Sequence, residues 1–311
     1  MVQQPVRILT YLHLRRTLGQ TTGVARHAIQ MIRGLRDRHH ADVELVGARD
    51  ERRLQQATEP NWPLADLPVH TFRMSRALME RWWYVLGAPA VDRFSPAADW
   101  VYVPNEAYVP VKRAKLATTI HDLEFLEPDL PWSNLPHIVK TRKAWLRKLR
   151  PMMRRSDVVL AVSEFTRRRI VELLGVDENR IVVVGNGVDA RFFQAGESPP
   201  PPITEPPYLL QIGAMIDKKG APAVLALARE LAARRSPVQI WISGKIEEKY
   251  QPLVAAAPNI KPLGFVPDDQ IIPLMRGALA VILLSRYEGF GMPPLEAMAV
   301  GTPAVVSHHA S

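Results

Sequence analysis

Cysteine is missing altogether from this 311-residue chain, which excludes a disulfide framework and thiolate-ligated metal sites. Long apolar runs are missing too: no stretch approaches the roughly 20 residues needed to cross a bilayer, so any membrane contact is expected to be peripheral. The segment VRILTYLHL lacks a basic leader and runs straight into charged residues. It is therefore not expected to act as a secretion signal, and a cytoplasmic location, free or on the inner face of the membrane, is expected. No G-x-G-x-x-G follows the first apolar run, which argues against a dinucleotide-binding opening. Neither a paired-aspartate loop nor a His cluster has metal-ligand spacing, so no metal and no cofactor are expected; Asp268-Asp269 reads as helix capping and His308-His309 as incidental. Nucleic-acid-binding motifs are likewise absent, and no nucleic-acid partner is expected.

What is present is enough apolar material, 47% of residues, to fill two cores in a chain of this length. The formal net charge of +9 suits an anionic partner such as a nucleotide, a nucleic acid or a lipid surface, and charge alone does not choose among them.

Apolar strands and helical patterns alternate along the chain, the signature of an α/β fold with parallel sheets. Val6 to Leu12 reads as a strand, followed by a polar loop with Gly19 and Thr21 to Gly23, then a helix over Val24 to Arg38. Asp42 to Val46 and Pro68 to Phe72 are further strands, with Glu51 to Glu59 a short helix or loop. Met79 to Leu86 carries Trp82, Trp83 and Tyr84, a core seam or an acceptor platform, with the core reading preferred. The strands Trp100 to Val103 and Leu116 to Ile120 follow, and the second delivers His121 and Asp122 to its carboxyl end, where open α/β sheets bind ligands. Ser133 to Arg155 is basic and amphipathic, and Pro151 is expected to kink or split it. That segment suits an anionic membrane surface and equally suits a surface helix with a solvated charged face.

After the strand Asp157 to Val162, a helix capped by Ser163 is expected. The strand Ile181 to Val184 then runs into GNGVDARFF, where Gly185 to Ala190 fits G-x-G-x-x-A. The dinucleotide reading is rejected because the motif closes a run of α/β units, Arg191-Phe192-Phe193 is not expected to continue as a helix, and a proline tract follows. Glu197 to Pro207 is a stiff proline-rich linker, giving domains over 1–196 and 208–311. In the second, strands at Tyr208 to Ile212, Val238 to Ser243, near Ile260 and at Ala304 to Ser307 alternate with helices at Ala221 to Arg235, after Lys245 and at Asp268 to Arg276.

The richest stretch is Ala278 to Pro303, ALAVILLSRYEGFGMPPLEAMAVGTP. It reads as a buried strand (Val281 to Leu284), a glycine loop (Ser285 to Met292) and a helix opened by Pro293 and Pro294. Such a junction makes an anion site from first-turn N–H groups and the positive end of the helix dipole, with Gly289 and Gly291 allowing close approach. Two carboxylates flank it, Glu288 in the loop and Glu296 in the expected first turn. A ligand with hydroxyls on both sides of a diphosphate would use both. The plainer alternative is a dipole-complementing Glu296 and a solvated Glu288.

SRYEGFGMPPLEAMAVGTPAVVS resembles the nucleotide-sugar signature of retaining glycosyltransferases of family 4, two glutamates with seven residues between. That resemblance implies the GT-B arrangement, two Rossmann-like doubly wound domains facing across a cleft, and transfer of a hexose, with mannose as the guess from YEGFGMPPLE, from a nucleotide-diphosphate sugar to a glycan or lipid-linked acceptor. It implies that Glu288 holds donor-sugar hydroxyls, Glu296 the ribose hydroxyls, and Gly289, Phe290, Gly291 and Met292 the diphosphate. TTGVARHAIQMIRGL resembles the family's glycine loop and first helix, bringing Gly23 near the donor phosphates, with Thr22 in place of a second glycine. TTIHDLEFLEP resembles its HD motif: His121 would contact the donor sugar, and Asp122 would orient His121 or assist the acceptor. QIGAMIDKKG is similar to G-R-x-x-x-x-K, so Gly213 and Lys219 match diphosphate contacts, while Ala214 stands where arginine is common and Lys218 is the compensating cation. Gly244, Phe265 and Val266 fall in loops resembling those beside the nucleoside. Family members usually continue beyond the position of Ser311, so the second domain is expected to be incomplete. The alternatives are an epimerase or phosphorylase on the same fold, or a non-catalytic basic binding protein.

Overall fold

In a computed structural model of the chain, which describes residues 4–14, 23–59, 61–199, 201–202 and 205–308, two compact units meet in sequence between Gly185 and Asn186. The first holds β1 (Arg7–Tyr11), α1 (Gly23–Asp37), β2 (Asp42–Ala48), α2 (Arg49–Thr58), β3 (Val69–Phe72), α3 (Arg76–Leu86), β4 (Trp100–Val103), β5 (Lys115–Ile120), α4 (Pro136–Arg155), β6 (Val158–Ala161), α5 (Glu164–Leu174) and β7 (Ile181–Val183). Its seven strands are all parallel, in the order β3-β2-β1-β4-β5-β6-β7. Along β1 and the residue after it, Leu9 and Tyr11 enter one core cluster while Ile8 and Leu12 enter another. Side chains of a strand alternate between faces, so a strand apolar on both needs helices on both.

The second unit holds α6 (Ala190–Gly196), β8 (Tyr208–Ile212), α7 (Ala221–Ala233), β9 (Gln239–Ser243), α8 (Gln251–Ala255), β10 (Ile260–Gly264), α9 (Asp268–Arg276), β11 (Ala280–Leu283), α10 (Met292–Ala299) and β12 (Ala304–Val306). Its sheet is five-stranded and parallel, ordered β10-β9-β8-β11-β12, again with a core cluster on each face. Strand order reverses between β1 and β4 in the first sheet and between β8 and β11 in the second, and crevices for ligands open at the carboxyl ends of such pairs.

Several expectations are corrected. Residues 191–193 are helical after all: Asp189 caps α6, its Oδ1 accepting from the Arg191 N–H at 3.1 Å, and Phe192 is buried in the second core. Gly196 lies so close to α10 that a Cβ there would fall 2.3 Å from the Ala299 carbonyl oxygen. This packing carries 186–196 with the second unit, ahead of the proline-rich segment. The rejected G-x-G-x-x-A motif follows β7, the outermost strand of its sheet.

Helix α4 runs unbroken through Pro151, neither starting at Ser133 nor splitting. Leu149, Met152 and Met153, buried on either side of the proline, hold the helix where one backbone hydrogen bond is lost. Of the aromatic cluster on α3 only Trp83 joins the core; Trp82 and Tyr84 are exposed. Pro267 is the N-cap of α9 and no side chain caps it, so Asp268 and Asp269 sit in the first turn as dipole partners rather than caps. The helix expected after Lys245 forms as α8, entered through a 3-10 turn at Glu248–Tyr250. The Ser163 cap forms as expected, its Oγ accepting from Thr166 N–H at 3.0 Å. Among the described residues no helix is long and apolar enough to cross a membrane.

Candidate functional site

In the second unit the loops leaving β8 and β11 interlock. Gly220, at φ +76°, turns so tightly against the β11 loop that a Cβ would lie 1.8 Å from the Leu284 carbonyl oxygen. The next loop is as close: a Cβ on Gly244, φ +146°, would lie 2.4 Å from the Gly213 carbonyl oxygen. Only glycine fits either place. Arg286 N–H donates to the Lys218 carbonyl at 2.8 Å, extending the union of the two loops.

This interlock brings Lys219 to Glu288, with Nζ 2.6 Å from Oε1, and the same oxygen accepts from Ser285 Oγ at 2.6 Å. Glu288 is 8% exposed, so the loop acid is no solvated side chain; a buried carboxylate needs such donors to stay charged. Among the described residues both bonds go to Oε1, which leaves Oε2 for a further donor. Ser285 is fixed in turn by Ser307, whose Oγ donates to its carbonyl at 2.6 Å. The ammonium of Lys218 lies 5.8 Å from the centre of the Tyr287 ring, in the same loop as Glu288. Asp217 accepts from Lys249 and from the Tyr250 hydroxyl. Burial works against its charge, yet those bonds hold its carboxyl below the usual range.

Helix α10 starts at Met292, after Gly291 as N-cap. Two details differ from expectation. Pro293 and Pro294 carry no N–H, so Met292 supplies the backbone donor among the first three helical residues. Glu296 lies in the second turn, buried at 5% exposure, beyond the turn where a dipole-complementing acid acts. Val266 is buried and Phe265 is 56% exposed in the loop after β10.

In the first unit the loops after β1, β4 and β5 converge. Asn105, following β4, donates from Nδ2 to His13 Nδ1 at 3.1 Å across the strand-order reversal. The other ring nitrogen of His13 meets Glu80 Oε1 at 2.8 Å, and Tyr11 donates to the same oxygen at 3.0 Å. Burial alone would raise the Glu80 pKa, but the His13 bond and nearby positive charge bring it down to about 2. His121 caps β5: its backbone N–H donates to Glu106 Oε1 at 2.8 Å, and its Nε2 lies 2.9 Å from the Pro104 carbonyl. A carbonyl only accepts, so Nε2 carries the proton and Nδ1 is the acceptor of the neutral ring. Burial lowers the His121 pKa, favouring that neutral form. The His27 ring of α1 meets His121 edge-on at 4.9 Å between centroids. Burial, aided by the charge of Asp122, pushes the Glu106 carboxyl up to about 7. Asp122 Oδ1 accepts weakly, at 3.4 Å, from Glu124 N–H.

Gly23 begins α1, and among the described residues nothing lies within 4 Å of the place its Cβ would take. Gly19, Thr21 and Thr22 lie outside the described residues. Asn105, Glu106, His13, Glu80, His27 and Ser285 were missed from sequence. For three of them a signal existed, since Asn105 and Glu106 follow the apolar strand VYV after a single proline and His13 follows RILTYL. Glu80 and His27 sit in helices with no local mark.

The sequence pattern of Glycosyltransferase Family 4 matches residues 21–192, and that of Glycosyl transferases group 1 matches residues 196–311. O-antigen chain mannosyltransferase B of Escherichia coli is 27% identical over 225 residues, covering 68% of this chain and 57% of that protein. The chain therefore matches little more than half the length of this relative. A glycosyltransferase from Rickettsia africae superposes with a TM-score of 0.64 at 16% identity, over 99% of this chain and 80% of its own. HepE of Anabaena in complex with UDP and glucose gives 0.61 at 18%, over 98% and 81%. At such identities the structural likeness establishes the GT-B fold alone. With the family pattern spanning more than half its length, from before α1 to α6, the chain belongs to glycosyltransferase family 4.

Proposed function

We propose that the protein is a retaining, metal-independent hexosyltransferase that takes a mannose-like sugar from a nucleotide-diphosphate donor and passes it to a glycan or lipid-linked acceptor. The observation that carries this reading is the Lys219–Glu288–Ser285 cluster at the β8/β11 reversal, beside the N-terminus of α10. In this reading the hard step is loss of the nucleoside diphosphate, whose growing negative charge is met by Lys219, Lys218, the Met292 N–H and the helix dipole. Glu288 accepts a donor-sugar hydroxyl through Oε2, Glu296 the ribose hydroxyls, and Gly213, Gly289, Phe290 and Gly291 line the diphosphate. Gly244, Phe265 and Val266 border the nucleoside. His121 acts as a neutral acceptor at Nδ1 near the donor sugar, and Asp122 orients it or assists the acceptor. Gly23, at the start of α1, lies near the donor phosphates in this reading. The name of the Escherichia coli relative supports mannose, and the HepE complex with UDP and glucose supports a nucleoside-diphosphate donor.

A thermal-shift screen of GDP, UDP and their hexose conjugates tests the donor half, followed by turnover with candidate acceptors. The expected result is stabilisation by one nucleoside diphosphate family, abolished by Lys219→Ala, and sugar release only when acceptor is supplied. Conversion of the nucleotide-sugar without acceptor would point to an epimerase instead. Binding of oligonucleotides with steep salt dependence and no nucleotide-sugar affinity would overturn the enzyme reading.

A further inference from the structure

The first unit contains a cavity that none of the assignments above uses. It has a volume of about 410 Å³ and lies between α3 and α4, lined by Glu80, Arg81, Tyr84, Tyr108, Arg147 and Lys148 with two alanines. That volume is within the range of small-molecule sites. The walls differ in chemistry. Tyr84 and Tyr108 meet edge to face, 6.3 Å between ring centres, and give a surface on which a sugar ring can pack. Three cations face one carboxylate, and Arg81 and Arg147 form no ion pair among the described residues. The carboxylate does not cancel them, because Glu80 is already engaged by His13 and Tyr11 through Oε1 and by Arg76 at 3.3 Å through Oε2.

A second cavity of about 380 Å³ continues along α4 and shares Ala144 and Arg147 with the first; it adds Lys140 and Lys143 and has no acid in its lining. Arg147 thus stands where the two cavities join, with guanidinium and ammonium groups to either side. The first cavity also leads toward the candidate chemistry. Glu80 in its wall holds His13, which is tied to Asn105 at the β1/β4 reversal. Lys148 exerts its charge on both Glu80 and Glu106, the carboxyl that holds the His121 backbone.

We propose that this cavity binds the acceptor and that the acceptor carries phosphate: its sugar ring packs on Tyr84 and Tyr108, a hydroxyl donates to Glu80, and the phosphate sits among Arg81, Arg147 and Lys148. The proposal rests on reading the chain as a glycosyltransferase and names the class of its acceptor. Guanidinium groups bind phosphate with two parallel hydrogen bonds, which a solvated helix face has no use for. The phosphate belongs either to a soluble sugar phosphate or to a lipid, and Leu78, Trp82 and Val85, all exposed on α3, are near enough in sequence for the second source to be tested alongside the first.

Binding to the intact chain is measured by titration calorimetry with mannose 6-phosphate and with mannose. Co-sedimentation is measured with vesicles of phosphatidylcholine alone and with added phosphatidylglycerol. Arg81→Gln, Arg147→Gln and Arg154→Gln are compared, Arg154 being exposed on the same helix and outside both cavities. The expected result is binding of the phosphate-bearing probe only, weakened about tenfold or more by Arg81→Gln and by Arg147→Gln and retained by Arg154→Gln. Mannose 6-phosphate binding identifies a soluble acceptor, and binding confined to anionic vesicles with the same mutational pattern identifies a lipid-borne one. Equal binding of mannose, equal loss in all three variants, or no binding of either phosphate probe overturns the proposal. Stabilisation by nucleoside diphosphates is recorded in parallel. If it is present and phosphate binding is absent, the acceptor class is wrong and the enzyme reading stands. If nucleoside diphosphates do not stabilise the chain, the enzyme reading itself fails.

Discussion

Lys219 and Glu288 are 69 residues apart in the chain and 2.6 Å apart in space. The salt bridge joins the loops after β8 and β11 at the reversal of strand order in the second sheet. It sets a cation and an acid side by side, so a ligand can present phosphate to one and hydroxyls to the other. Removing either partner separates these roles. Glu288→Ala is expected to lower turnover about tenfold or more while melting temperature falls little, since Lys219 can turn to solvent. Glu296→Ala is expected to weaken donor binding instead, raising the donor KM by about tenfold. Unchanged kinetics in both variants, at equal melting temperature, would remove both assignments.

The two loops depend on Gly220. Alanine there would meet the Leu284 carbonyl and hold an unfavourable positive φ, so Gly220→Ala should destabilise the fold by about 1–3 kcal/mol. Gly23→Ala meets nothing within 4 Å among the described residues and should leave chemical denaturation unchanged while reducing affinity for the donor. A loss of stability at Gly23 equal to that at Gly220 would assign Gly23 to structure.

Glu106 makes stability fall with pH in a defined window. Its carboxyl is raised from 4.5 to about 7, chiefly by burial, so the folded state holds a proton that the unfolded chain releases. The resulting stability is fully present below about 4.5 and lost as pH rises through about 7. His121, lowered by burial, has the opposite sign, adding stability as pH rises toward its unfolded value. Glu106→Gln keeps a carbonyl for the His121 N–H and removes the titration. Urea denaturation across pH 4.5 to 8 should then lack a decline on the order of 1–2 kcal/mol that the parent shows, screening at the half-buried carboxyl included. Parallel profiles would show that Glu106 does not titrate there.

After the neighbouring strand β6, at the same end of the sheet, Ser163→Ala removes the side-chain acceptor of the Thr166 N–H. A loss of about 1 kcal/mol is expected, read as a lower urea midpoint at constant slope, with Ser163→Asp retaining most of it.

Periodicity and punctuation were sufficient to read the alternation of strands and helices, because a strand buried on both faces must be apolar throughout. The Ser163 cap, the β11-loop-α10 junction and the family motifs were legible for the same reason: each is a local pattern with a local cause. Helix α6 was not. Its stability comes from Phe192 and Gly196 packing on the second core, a contact distant in sequence. Continuity of α4 through Pro151 likewise follows from what Leu149, Met152 and Met153 bury against, and local propensity argued the other way.

The sequence by itself determined that the chain carries two α/β units, which loops bear the acids, lysines and glycines, and which family it belongs to by motif. Only the tertiary structure decided that Lys219 pairs with Glu288, that Glu106 and Pro104 fix His121, and that Arg81 and Arg147 share a cavity with two tyrosines. Strand order in a parallel sheet brings distant loops together, and neither the partner of a charge nor its burial is encoded in the residues beside it.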